Sequence, residues 1–168
     1  TAIFILLLIA LYRIADVVMG VVANIFYLEK GFNIKEIATY SKFFGVFATI
    51  AGGIIGGYSA IKFGTIRCLF FGALLAAASN LLFSWLAVSE PSIDLLIIVI
   101  TADNISSGFA GAAFVVYLSA LTSIKFTATQ YALFTSIMLF LPKVLAGYSG
   151  EIVDQIGYAN FYIFTAII

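Results

Sequence analysis

Four ionisable side chains stand in stretches that otherwise read as apolar helix. Arg13 and Asp16 lie inside LYRIADVVMG (11 to 20), Asp103 sits beside Asn104 and close to Ser107, and Lys143 directly follows Pro142. The i,i+3 spacing of Arg13 and Asp16 puts them on one helical face within reach of each other. A carboxyl in such surroundings can take up and release a proton, and a fixed cation can dock an anion. Pro142 lacks an amide hydrogen, so it frees a carbonyl of its own helix to face a cavity. The structural alternative pairs Arg13 with Asp16 and Asp103 with Lys143 across the bundle. Packed apolar residues in place of such pairs are often neutral or better, so structure alone gives little reason to keep them.

The elements that hold these groups follow from composition. Of 168 residues, 64% are hydrophobic and 10% charged, and the mean hydropathy is +1.18. These values indicate an all-α integral membrane protein. A helix needs about 20 apolar residues to cross the roughly 30 Å hydrocarbon layer. The apolar runs predict spans over residues 2–28, 37–61, 68–88, 95–121 and 131–153, with a sixth from 158 that stops at 168. The start at Thr1 and a last span of only about 11 residues give the expectation of one six-helix piece of a longer chain. The runs are continuous rather than alternating, which argues against a β-barrel. The first is too long for a cleavable leader.

Charge and composition remove several classes. Eight basic and eight acidic residues cancel, leaving no basic stripe for nucleic acid. Histidine is absent and Cys68 is alone, so no Cys/His metal centre, His-based catalysis or disulfide frame is expected, and no cofactor. An enzyme reading has no catalytic residues to stand on. Cys68 is most simply a packing residue.

Loops after the first, third and fifth spans carry Glu29, Glu36, Glu90, Asp94 and Asp154, while those after the second and fourth carry Lys62, Arg67 and Lys125. Basic residues set orientation, and Lys30, Lys35 and Lys42 tie with that second group. Two span ends three helices apart, SAIKFGTIR (59 to 67) and EIVDQIGYANF (151 to 161), place Gly64 and Gly157 where a left-handed turn stops a helix. This suggests two inverted three-helix repeats, a common plan among transporters. Gly45, Thr49, Gly52, Gly53, Gly56, Gly57 and Ala60 form a small-residue seam in the second span, with two overlapping GxxxG pairs, and Gly108, Gly111 and Ala112 form another in the fourth; such stripes let helix backbones approach closely in lipid.

A charge at the bilayer centre costs about 2.5 to 3.5 kcal/mol on insertion scales, so buried ones mark functional candidates. Two acids and two bases near mid-depth read as proton-coupled transport of an anionic solute. In that reading Arg13 and Lys143 attract the solute, Asn24, Asn104, Tyr117 and Gln130 contact it, and Asp16 or Asp103 carries the proton. A cap at the helix start would explain Gln130 and Thr129 equally well, and tyrosines such as Tyr12, Tyr27 and Tyr117 also serve as interface anchors or core. A channel would show rings of like charge or carbonyl filters, and neither is evident.

YRIADVVMGVVANIFYLEKGF (12 to 32), EIATYSKFFG (36 to 45), SNLLFSWLA (79 to 87), DNISSGFAGAAFVVYLSALT (103 to 122) and TATQYALFTS (127 to 136) resemble the carboxyl-terminal half of AmpG-type permeases of the major facilitator superfamily. The resemblance implies twelve helices, of which these are the seventh to twelfth, and a missing amino-terminal six-helix half as partner. It implies a multi-pass protein of the bacterial inner membrane that imports anhydromuropeptides, sugar-peptide fragments of peptidoglycan, with protons. It places 62 to 67 and 124 to 127 in the cytoplasm. Relatives tend to carry Asn-Pro-Phe at Asn24, Ile25 and Phe26, glutamate at Asp103 and arginine at Lys143; lysine is a point charge rather than a bidentate fork. Eukaryotic acetyl-CoA transporters look distantly similar, which makes an acyl-CoA or other anionic cargo the nearest alternative. An inactive half-transporter fragment is another.

Overall fold

In hydrocarbon every backbone amide needs a partner within the protein, and helices alone meet that need among the described residues. The computed structural model describes residues 2–122 and 127–168. Thr1, Lys125 and the rest of 123–126 lie outside them. The helices are α1 (Ala2–Leu11), α2 (Ile14–Glu29), α3 (Ile34–Tyr40), α4 (Val46–Phe63), α5 (Thr65–Val88), α6 (Ile93–Leu121), α7 (Thr127–Ala146) and α8 (Ser149–Ile167), with a π-helical turn at Ser41–Gly45 joining α3 to α4. Among the described residues five segments are long and apolar enough to cross a membrane: Phe4–Glu29, Ile34–Phe63, Thr65–Val88, Ile93–Leu121 and Ala128–Ala146.

The last part of the chain departs from the sequence expectation. The helix predicted to run to residue 153 stops at Ala146, where the Gly147 amide turns back to the Lys143 and Val144 carbonyls. A second helix then starts at Ser149, whose buried hydroxyl donates to the Val18 carbonyl at 3.0 Å. Gly157, at φ 76°, breaks that second helix, and Gly64, at φ 92°, separates α4 from α5. Positive φ is open to glycine and costly for other residues, so both glycines do punctuate helices.

Helix α6 lies at the centre, packed most extensively on α4 and α5, while α8 packs on α5 and α7 on α1 and α2. The glycine seams meet in the α4–α6 crossing. A Cβ at Gly52 would run into the Ile105 carbonyl, one at Gly56 into Phe109, and one at Gly108 into the Thr49 carbonyl. Only glycine permits that approach.

Two apolar clusters fill the bundle. One gathers Val18, Val22, Phe26, Phe83, Leu86, Leu96, Val99 and Tyr162; the other gathers Ile9, Cys68, Leu69, Phe109, Ala113, Phe114 and Leu118. The first transmembrane segment passes from one cluster to the other between Ile9 and Ile14, α5 between Leu69 and Phe83, and α6 between Ile100 and Phe109. The intervals on all three carry polar residues: Tyr12 and Arg13; Ser79 and Asn80; Thr101, Asp103, Asn104, Ser106 and Ser107. A polar layer thus separates two greasy ones.

Candidate functional site

The site is built around a break in the first transmembrane segment. Residues 12 and 13 leave helical geometry, with Arg13 at φ −102° and ψ 5°, and no proline or glycine stands there. Tertiary contacts hold the corner open. The Tyr12 hydroxyl donates to the Leu69 carbonyl of α5 at 3.0 Å, and its ring stacks on Phe114 of α6 at 4.9 Å. Two glycines make the room: a Cβ at Gly72 would come within 2.7 Å of the Tyr12 hydroxyl, and one at Gly111 within 3.3 Å of Arg13 Nη1.

Asp16 lies in the first turn of α2 and accepts an ion pair from Arg13. A carboxylate there is favoured by the unpaired amides and the positive end of the helix dipole. The Ser107 hydroxyl donates to the same carboxylate at 3.3 Å. Asp103, one turn before Ser107 on α6, stands close to Ser79 and within electrostatic range of both Asp16 and Arg13. Two carboxylates therefore lie within electrostatic range of one guanidinium. A cavity of about 20 Å³, lined by Tyr12, Arg13, Asp16, Gly72 and Ser107, opens beside them. That volume suits about one water molecule.

No family model matches the chain. It is 34% identical over 167 residues to AmpG 4 of Rickettsia felis, 35% identical over 166 residues to AmpG 1 of Rickettsia bellii, and 37% identical over 168 residues to AmpG 1 of Rickettsia prowazekii, all provisionally named as transporters. Each match takes in 99% of this chain. The chain is similar to part of these AmpG proteins. It spans about 40% of the length of the AmpG relatives it matches, corresponding to a carboxyl-terminal half. The AmpG similarity therefore runs through the broken segment, the glycine seam and the polar stretch of α6 alike.

The other candidate residues lie apart from the corner. Asn104 is held by its surroundings: its amide donates to the Ile100 carbonyl at 2.8 Å, its oxygen accepts from Thr49 at 2.9 Å, and it packs against Gly45 in the π turn. Tyr117 is buried beside Phe114 in the second apolar cluster. Asn24 is exposed on a groove of about 300 Å³ between α2 and α3, which Lys42 also lines. Gln130 is half-buried in the first turns of α7. Lys143 is exposed in a separate groove of about 460 Å³ with Ser136 and Phe140. Among the described residues no ion pair joins it to Asp103.

Several buried polar groups, Arg13 aside, were not singled out from sequence. The Asn80 amide nitrogen, the Ser106 and Thr101 hydroxyls, the Tyr162 hydroxyl and Arg13 Nε are buried without a hydrogen-bond partner. The Ser79–Asn80 pair inside an apolar run was the available signal. Tyr162 gave none, since its type alone does not separate core from site.

Proposed function

We propose that the chain is the carboxyl-terminal half of a twelve-helix, proton-coupled secondary transporter of the major facilitator type, importing anhydromuropeptides across the bacterial inner membrane. The observation that carries this is the Arg13–Asp16–Ser107 cluster, with Asp103 beside it, at a helix break between two apolar layers. Discontinuous helices with charged groups at mid-depth are the usual makings of a transporter's solute and ion site. Two carboxylates against one guanidinium leave one negative charge in excess, and a charge uncompensated in that layer is expensive. A proton on one carboxyl removes the excess.

Asp16 is already engaged by Arg13 and Ser107, so Asp103 is the better carrier of the coupling proton. Arg13 then meets the cargo carboxylates as the ion pair loosens, Lys143 supplies a second cation, and Asn24, Asn104, Tyr117 and Gln130 complete the solute path with the partner half. The helices group as two inverted three-helix repeats that rock against that half. The two-acid cluster serves an acyl-CoA or another anionic cargo as readily, and competition among these cargoes would rank them.

Asp103→Asn is expected to abolish proton-driven accumulation of labelled anhydromuropeptide in proteoliposomes while exchange between equal pools continues. Full accumulation by that variant would remove Asp103 from the proton role.

A further inference from the structure

A polar group buried without a partner loses its hydration uncompensated, so such groups call for an explanation. Tyr162, 0% exposed, carries an unpartnered hydroxyl, and Asn80, 1% exposed, an unpartnered amide nitrogen. Their helices lie side by side. The Ser84 hydroxyl of α5 donates to the Ala159 carbonyl of α8 at 2.9 Å, and the Phe83 and Tyr162 rings are 5.0 Å apart. Asn80 is one turn before Ser84, and Tyr162 nearly one turn after Ala159, so antiparallel packing brings the two orphan groups to one level. Ser79, next to Asn80, is close to the Asp103 carboxyl, and Tyr27 and Tyr162 are within electrostatic range of it. Buried water settles where several polar groups lack partners, typically making about three hydrogen bonds.

The row continues to the membrane face. The Tyr158 and Tyr162 rings stack with centroids 6.3 Å apart, and the Tyr158 hydroxyl lies beside the Glu29 carboxylate. Glu29 is exposed, and it shares a groove of about 310 Å³ with Lys30, Gly157 and Tyr158. The non-helical Gly157 lies in the wall of that groove.

We propose that Asn80 and Tyr162 hold internal water that, with Tyr158, relays a proton between Glu29 at the membrane face and Asp103 at mid-depth, inside this half and apart from the solute path. The inference rests on Asp103 being the proton site. Glu29 takes a proton from bulk water, each hydroxyl on the row gives one proton and receives one, and Asp103 ends protonated with the hydroxyls unchanged. Arg13 and Asp16 from the corner, Tyr27 from α2 and Tyr162 from α8 are within electrostatic range of Asp103, and Ser79 from α5 is close to it. Tyr158 and Asp154 neighbour the Glu29 end, where the Lys30 ammonium is occupied by the Ala87 carbonyl at 2.8 Å.

The test needs no cargo. The protein in lipid nanodiscs is given a rapid pH drop, and infrared spectroscopy follows the protonated-carboxyl band that Asp103→Asn lacks. Tyr162→Phe keeps the ring and its packing, and should slow the rise of that band at least tenfold; Glu29→Gln should slow it in the same direction. A wild-type rate in Tyr162→Phe overturns the relay while leaving Asp103 as the proton site. No Asp103 band in the wild-type protein overturns both.

Discussion

Arg13 and Asp16 are each about one-fifth exposed, at 22% and 20%, which sets the scale of what their pairing contributes. Removing one partner of a fully buried pair costs about 3–5 kcal/mol; partial solvent access brings the expected loss for Arg13→Met or Asp16→Leu alone to about 1–2 kcal/mol. The double variant should recover most of it, because no lone charge remains. Thermal unfolding in detergent of the two single variants and the double reads this coupling directly. Losses that simply add would mean that the two side chains act independently. The pairing itself was legible from the i,i+3 spacing. The partnership with Ser107, 91 positions away, was not, because only the tertiary fold brings the first turn of α2 within reach of α6.

The α4–α6 crossing carries a sharper contrast at the level of elements. A Cβ at Gly52 strikes the Ile105 backbone, whereas one at neighbouring Gly53 meets nothing nearer than 3.9 Å. Gly52→Ala should therefore cost about 1–3 kcal/mol, the usual penalty of overpacking, and Gly53→Ala close to nothing. Equal melting temperatures for the two variants would contradict the crossing. Overlapping GxxxG pairs made this seam readable in advance, since the spacing that brings backbones together is itself a sequence pattern. Asn33 and Glu36 likewise form a capping box at the start of α3, the standard N-x-x-E signal. The π turn at Ser41–Gly45 had no such signal: it depends on Asn104 of α6 seating against Gly45, with Thr49 bridging the two. The early end of α7 was obscured because Val144 to Val153 stays apolar enough to read as one helix, although Gly147 and Gly150 were there to mark the turn.

For the molecule as a whole, Phe4–Glu29 and Ile34–Phe63 crossing in succession would put Glu29 and Lys62 on opposite faces, one segment apart. Cys68 is buried, so it should stay silent toward a membrane-impermeant maleimide. Glu29→Cys and Lys62→Cys should then label from opposite sides of sealed vesicles, and labelling from the same side would refute the order of crossings. The bend at Tyr12 and Arg13 has its own consequence. Nothing in the local sequence asks for it, since the apolar stretch before it favours an uninterrupted helix; Leu69, Phe114, Gly72 and Gly111 impose it from other parts of the chain. A synthetic peptide of residues 2–29 in micelles should accordingly straighten into one continuous rod by NMR. The elbow is a property that the segment acquires only in company, and any motion that draws α5 and α6 away would let it spring straight.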